Sequence, residues 1–181
     1  MFADLVKNRR SIREYEDRPV EPEKIDTIIE AALRAPSGRA IRPWSFVVVT
    51  DKDLLEKLSA AKPMGADFLK KAPVGIVVCA ETGESGVWVE DCAIAAVFLQ
   101  LSAHSLGLGS RWSHMRGNMY DDKKTTRDYI AGILNLPDDL EVECVIAVGY
   151  PAESIPPYAK EELRFDKVGY NGYGRKGTRT G

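Results

Sequence analysis

The 181-residue sequence is poor in the side chains that most metal sites and nucleophilic enzymes require. It has two histidines, His104 and His114, and no pair of cysteines has the close spacing of zinc ligands. No Gly-x-Ser-x-Gly turn is present, which argues against a serine hydrolase. Cys79, Cys92 and Cys144 each lie in an apolar run, so we predict buried free thiols. We therefore predict no bound metal.

The sequence also lacks a strong net charge and an uninterrupted apolar run. Its 25 Lys and Arg nearly balance 27 Asp and Glu, so no overall positive field would gather nucleic acid. The longest apolar-leaning stretch runs from Val87 to Leu108. Four polar residues interrupt it: Glu90, Asp91, Gln100 and His104. We therefore predict a buried helix there, not a bilayer span, and because no signal-peptide pattern opens the chain we expect a cytoplasmic protein without membrane partners.

The apolar residues that are present, 44% of the chain, alternate between helical and strand patterns. They predict strands at 44–50, 74–80, 108–113 and 142–149. They predict helices at the N terminus, from 22 to 34, after 51, from 87 to 106 and from 122 to 134. This mixture indicates an α+β fold, and the length fits one domain over residues 1–181.

Two segments lack a self-contained pattern. The helix at 87–106 is apolar on nearly every face, so it must be covered by the sheet, by other helices or by a partner subunit. The segment 151–181 is rich in Pro, Gly and Tyr and has no helical or alternating period. We predict an extended C-terminal tail that is either disordered or laid across another surface, and its aromatic residues favour the second alternative.

The first chemical motif is basic. Arg9, Arg10, Ser11 and Arg13 place three guanidinium groups and a hydroxyl within five positions, which is typical of a receptor for phosphate oxygens. The alternative is a solvated face, because Glu14, Glu16 and Asp17 follow directly and surface ion pairs would account for the cluster.

The second motif is the segment 35–44, Ala-Pro-Ser-Gly-Arg-Ala-Ile-Arg-Pro-Trp. Pro, Ser and Gly predict a rigid loop with exposed backbone N–H groups, and the aromatic end suits contact with a flat ring.

Three further features follow these motifs along the chain: the long central helix, Gly107-Leu108-Gly109-Ser110 and Gly149-Tyr150-Pro151. The same features occur in the same order in the nitroreductase family of FMN-dependent oxidoreductases, which the chain resembles over nearly its full length. The resemblance implies a central, mostly antiparallel sheet flanked by helices and an intertwined homodimer with FMN at the interface. It implies NADH or NADPH as electron donor and a small-molecule acceptor such as a nitroaromatic or a quinone, in a ping-pong cycle.

The resemblance also implies roles for individual residues. Arg9, Arg10, Ser11 and Arg13 would bind the FMN phosphate and ribityl chain, with Arg13 near the pyrimidine edge. Four residues would line the flavin from the opposite subunit: Pro36, Ser37, Gly38 and Arg39. Backbone at Ser113 and His114 would face N5 of the ring. Lys160 and Arg164 would add phosphate contacts, unless they are solvated charges or Arg175 or Lys176 takes that role. No catalytic side chain is implied.

The chain departs from the family pattern at Ala40 and Arg42, where many members have Asn and Gln. A cation at Arg42 or Arg39 would stabilise negative charge near N1 and O2 of the reduced flavin; the alternative is a surface ion pair. The sequence leaves the acceptor open and places its selection in loops such as Met115 to Asp122. Two other functions stay open: a flavin-binding carrier or sensor without turnover, and a flavin-fragmenting or dehalogenating relative.

Overall fold

The computed structural model describes residues 1–83 and 85–175. Its helices are α1 (Phe2–Asn8), α2 (Pro22–Leu33), α3 (Lys52–Ser59), α4 (Trp88–Ser105) and α5 (Thr126–Leu134), and its strands are β1 (Trp44–Val49), β2 (Val74–Glu81), β3 (Gly109–His114) and β4 (Leu140–Gly149). Short 3-10 helices lie at Gly38–Ala40, Asp67–Lys71, Lys160–Glu162 and Phe165–Lys167.

The four strands form one sheet in the order β1-β2-β4-β3, and every neighbouring pair is antiparallel. Helices cover both faces, so the predicted α+β class with an antiparallel sheet is confirmed. β2 and β4 occupy the centre and are buried along nearly their whole length, which explains their continuous apolar sequences.

The two faces of the sheet form separate cores. Ile76 and Ile146 pack with Leu99 of α4 on one face. Val77 and Val145 pack with Leu55 of α3 on the other, where α5 also contributes. Alternate residues of a strand point to opposite faces, and this alternation fixes the register of the central strands. The three cysteines are buried and free, as predicted.

The predicted elements are present, with one clear correction. α5 begins at Thr126, not at 122, because the preceding residues form a turn in which the Asp121 carboxylate accepts hydrogen bonds from the backbone N–H groups of Lys123 and Lys124, both at 2.8 Å. Thr125 then caps the helix by accepting from the N–H of Asp128.

α4 packs against the sheet, α2 and α1, and these elements leave one side of it uncovered in the described part of the chain. On that side Ile94, Val97 and Phe98 are 38%, 48% and 40% exposed. Single exposed apolar residues are common, but three within two turns of one helix form a patch that indicates a partner surface. In the part of the chain that the structure describes, no helix is long and apolar enough to cross a membrane.

The tail leaves the sheet after Pro151 and has no core of its own. Tyr158, Phe165 and Tyr170 are each more than half exposed. A tail that presents its aromatic side chains to solvent in one chain has apolar area available for a second surface. Lys176, one of the alternative phosphate ligands, lies outside the described residues.

Gly109 allows the basic segment 9–13 to lie against the first residue of β3. A Cβ at Gly109 would stand 2.7 Å from Cγ1 and 2.8 Å from Cβ of Ile12, closer than real side-chain contacts allow. The absence of a side chain at position 109 therefore sets the approach of the basic segment to the sheet.

We predict that Gly109→Ala destabilises the protein by about 1–3 kcal/mol, because Ile12 must move away from β3. Gly83→Ala is the matched control, since a Cβ there meets nothing within 4 Å. Denaturant midpoints at one fixed protein concentration measure both changes, and equal midpoints for the two variants would contradict this account of Gly109.

Candidate functional site

The basic segment 9–13 stands where α1 ends and β3 begins. Arg9 caps the C terminus of α1 in an extended conformation, with φ −63° and ψ 127°. Ser11 pairs with Ser110 in a parallel bridge, and the N–H of Ile12 donates to the Ser110 carbonyl at 3.1 Å. The segment is thus fixed by backbone contacts and not by its guanidinium groups.

Those guanidinium groups have no acidic partner. Glu14 pairs with Lys71 at 2.6 Å and Asp17 with Lys52 at 3.2 Å, and across residues 1–83 and 85–175 no carboxylate lies within ion-pair distance of the arginines of the segment. The structure therefore does not support the alternative in which neighbouring acids neutralise the cluster.

A cleft of about 210 Å³ adjoins the segment. Arg9, Arg10, Ser110 and Glu153 are among its lining residues, together with His104 from α4. Burial, and next the positive charge of Arg9, lower the pKa of His104. The cleft thus joins the basic segment to the C-terminal end of α4.

The tail closes one side of this cleft. Arg10 donates a hydrogen bond to the Pro156 carbonyl, and its guanidinium lies 4.0 Å from the centre of the Tyr158 ring. Glu153 accepts hydrogen bonds from the backbone N–H groups of Arg13 and Glu14, the second at 3.1 Å. These contacts hold the start of the tail against the basic segment.

β3 is an edge strand. The basic segment pairs with the first part of its outer edge, and the rest of that edge extends beyond the segment. The outward carbonyl of Ser110 accepts from Ile12, and the N–H of Met115 points inward to the Glu143 carbonyl at 3.0 Å. Because backbone groups alternate between the two edges of a strand, Trp112 and His114 face outward with Ser110. Their N–H groups have no hydrogen-bond partner among the described residues. This open edge can accept a flat molecule with polar groups along its rim.

Ser113 and His114 were both predicted to contact a ligand through their backbones, but their backbones face opposite edges of β3. Ser113 pairs with Val145 of β4, and its hydroxyl donates to the Gly65 carbonyl at 3.0 Å, so Ser113 belongs to the interior of the site wall. The N–H of His114 faces the open edge. Of the two residues, His114 is therefore the one whose backbone N–H has no partner among the described residues and can contact a ligand.

The loop at 36–42 has a distinct backbone. Arg39, Ala40 and Arg42 have φ of 51°, 57° and 55°, in the left-handed region that L residues rarely adopt. The N–H of Arg42 donates to the Ser37 hydroxyl at 2.9 Å, which holds the loop closed. Arg39 and Arg42 are exposed and no carboxylate in the described chain pairs with them, so the surface-pair alternative for Arg42 is not supported.

Asp91 anchors this loop to α4. Its carboxylate, 2% exposed, accepts from the N–H of Gly38 at 2.8 Å and from the Ser85 hydroxyl at 3.0 Å. The sequence analysis treated Asp91 only as an interruption of an apolar run. An acid in the first turn of an otherwise apolar helix, where the helix dipole favours negative charge, is the signal that would have identified it.

The two predicted halves of the site are not adjacent within one chain. Asp91 fixes the loop at the N-terminal end of the 18-residue helix α4, whereas the basic segment lies by His104 at the C-terminal end. The separation along the axis is about 20 Å at the usual helical rise. A site that uses both halves therefore needs a second copy of the chain.

The predicted tail ligands lie outside the cleft. Lys160 begins a short 3-10 helix and is exposed. Arg164 bonds Asp166 through Nε and Nη2 at 2.8 and 2.7 Å, and this pairing raises the pKa of Arg164. Their roles as phosphate ligands stay predictions.

A polar cluster that the sequence analysis missed lies at the far end of β3. We define the strand-end cluster as Lys62, His114, Arg116 and Glu143. Arg116 Nε donates to Glu143 Oε2 at 2.8 Å, His114 Nδ1 stands 3.6 Å from Glu143 Oε1, and Lys62 Nζ donates to the His114 carbonyl at 2.6 Å. The cluster is assembled from three separate parts of the chain, so no local motif signals it.

The comparisons with known proteins identify the family and the fold. The sequence model of the Nitroreductase family matches residues 6–62 and 58–150. A solved FMN-dependent nitroreductase from Clostridium difficile superposes with a TM-score of 0.91 at 45% identity, over 93% of this chain and 98% of that one.

Two curated relatives carry different names. A protein of Methanothermobacter thermautotrophicus, provisionally named an NADH dehydrogenase/NAD(P)H nitroreductase, is 41% identical over 83% of this chain and 78% of its own. An iodotyrosine deiodinase of Haliscomenobacter hydrossis is 28% identical over 84% of this chain and 80% of its own.

We predict that Asp91→Ala lowers the free energy of unfolding by about 1–3 kcal/mol, because the partly buried N–H of Gly38 and the buried Ser85 hydroxyl lose their acceptor. Glu90→Ala is the matched control, since Glu90 is in the same first turn but exposed. Chemical denaturation measures both; an equal loss in the two variants would mean that the helix dipole, not the loop anchor, accounts for Asp91.

Proposed function

The chain belongs to the nitroreductase family, and from that premise we propose that it is an FMN-dependent oxidoreductase that uses NADH or NADPH to reduce a small organic acceptor. Three arginines without an acidic partner among the described residues, at the end of an open strand edge, carry this assignment. The arginines offer an anion receptor, and the strand edge that continues from them offers a rim for a flat polar ring.

The described residues can hold FMN along a line from the basic segment to the far end of the outer edge of β3. Arg9, Arg10, Ser11 and Arg13 would hold the phosphate and ribityl chain beside Ser110. The ring would then lie along the outer edge of β3 toward His114, about 13 Å from Ser110 at the usual rise of a strand. That span suits an extended ribityl phosphate followed by the ring.

We propose that a second copy of the chain completes the site. Pro36, Ser37, Gly38 and Arg39 of one protomer would cover the ring bound by its partner, since they lie too far from the basic segment of their own chain. The exposed patch of Ile94, Val97 and Phe98 on α4 would form the centre of the homodimer interface, and the tail would extend over the partner.

When bound, FMN would supply the chemistry that the side chains lack, the transfer of two electrons from the nicotinamide to the acceptor. The residues of the site would bind and orient the ring. Arg39 and Arg42, exposed on a loop with fixed backbone, would place positive charge by the pyrimidine edge and favour the reduced, negatively charged form.

The iodotyrosine deiodinase relative favours a second candidate function, reductive dehalogenation at the same site. Both functions need FMN and an electron donor, so they differ only in the acceptor. A carrier or sensor would bind FMN without oxidising either nicotinamide.

We predict that the purified protein binds FMN and shows an oxidised flavin spectrum that bleaches on anaerobic addition of NADH or NADPH. The visible absorption spectrum measures both points. A spectrum that stays oxidised with either nucleotide would indicate a carrier or sensor, and absence of flavin binding after addition of FMN would refute the assignment.

We predict that Phe98→Glu converts the dimer into monomers and abolishes FMN retention, because a charge buried at the interface costs several kcal/mol without a partner. Ala60→Glu introduces the same charge at an exposed position that follows α3 and should leave both properties unchanged. Light scattering coupled to size-exclusion chromatography gives the mass, and a Phe98→Glu dimer with bound FMN would contradict the proposed interface.

A further inference from the structure

Glu143 occupies an irregular position in the sheet. Between β2 and β4, Val78 pairs with Cys144 and Cys79 pairs with Val142, which leaves Glu143 as the extra residue of a β-bulge. Bulges redirect side chains and are frequent beside active sites. Here the bulge brings a carboxylate under α4, where its charge, after burial, contributes to raising the pKa of Cys92 to about 12.

The Glu143 carboxylate orients Arg116. The Glu143 side chain is 4% exposed and the Arg116 side chain is 44% exposed, so the pair joins a buried acid to a cation at the surface. A buried carboxylate without a partner is costly, and this requirement fixes Nε of Arg116 on it. The two terminal nitrogens of Arg116, Nη1 and Nη2, donate to no protein atom in the described part of the chain.

The strand-end cluster has a surplus of positive charge. It contains two cations, Lys62 and Arg116, and one acid, Glu143. Glu143 pairs with Arg116, whereas Lys62 donates to a neutral carbonyl, that of His114. Lys62 is partly buried, and this burial lowers its pKa. Such an arrangement favours an oxyanion that supplies the missing negative charge.

The strand-end cluster and the proposed FMN phosphate site lie at opposite ends of β3. The basic segment holds the Ser110 end, and the strand-end cluster surrounds His114 at the other. In the proposed function the His114 end is where the ring and the second substrate meet. The free donors of Arg116 therefore face a substrate and not the cofactor.

We propose that Arg116, positioned by Glu143, binds a carboxylate on the electron acceptor, so that the enzyme selects aromatic acceptors bearing a negative group over neutral ones. This inference rests on the proposed function and names its acceptor class. The forked donors of Arg match a carboxylate. A phosphate of the nicotinamide donor has the same chemistry, and the test separates the two.

The test compares para-nitrobenzoate with para-nitrobenzamide, which differ in charge but hardly in shape, as acceptors for the FMN-loaded enzyme. Arg116→Gln should lower kcat/KM for para-nitrobenzoate about tenfold or more, the usual effect of losing a charge-assisted pair, and should leave that for para-nitrobenzamide within about twofold. Arg116→Lys should be intermediate, because it keeps the charge without the fork. Lys52→Gln, which removes an exposed charge at the opposite end of the sheet, is the control.

A direct binding measurement supplements the kinetics. Titration calorimetry of para-nitrobenzoate into the protein, with FMN and without a nicotinamide, should show binding that Arg116→Gln weakens about tenfold and Lys52→Gln does not. Glu143→Gln should weaken it as well, since Arg116 loses its anchor.

Each other outcome overturns the proposal. An equal loss for both acceptors would make Arg116 a structural residue, and a loss of kcat/KM for NADH or NADPH alone would assign it to the donor phosphate. FMN binding and turnover without discrimination between the acceptors would refute the inference and leave the proposed function standing. A protein that binds neither FMN nor para-nitrobenzoate would refute both.

Discussion

The rest of the structure depends on one geometric constraint, the length of α4. This helix fixes the loop at 36–42 at its first turn through the buried carboxylate of Asp91, and it ends beside the basic segment 9–13. A helix of 18 residues keeps these two elements, which we propose bind FMN, apart within a single chain. In the proposed function, completion of the site is thereby coupled to association of two chains.

The same helix offers a surface for the proposed association. One side of α4 is buried against the sheet, where β2 and β4 contribute to the core. The other side leaves Val97 and Phe98 exposed, and the tail presents further aromatic rings. Burying such area contributes about 25 cal/mol per Å² before the costs of association are subtracted, so this surface is suited to the proposed dimer.

The sequence predicted the elements better than the site. Periodic apolar residues such as those around Ile28, and β-branched runs such as 74–80, indicate local structure directly, so the class and order of the elements could be predicted. The start of α5 could not be predicted, because the Asp121 turn competes with the helix through side-chain hydrogen bonds. Glu143 and Arg116 meet only after the sheet forms and a bulge redirects one residue, which no periodicity indicates.

The composite site is tested most directly by mixing two defective chains. Arg9→Met with Arg10→Met removes the phosphate end, and Gly38→Val places side-chain atoms against Val87, whose Cγ2 would stand 2.8 Å from a Cβ at position 38. Each variant alone should fail to retain FMN. If the site is shared, dimers assembled from the two contain one intact site, so refolding them together should restore FMN to about half of those mixed dimers' sites. No recovery in mixed dimers of confirmed composition would contradict a site built from two chains.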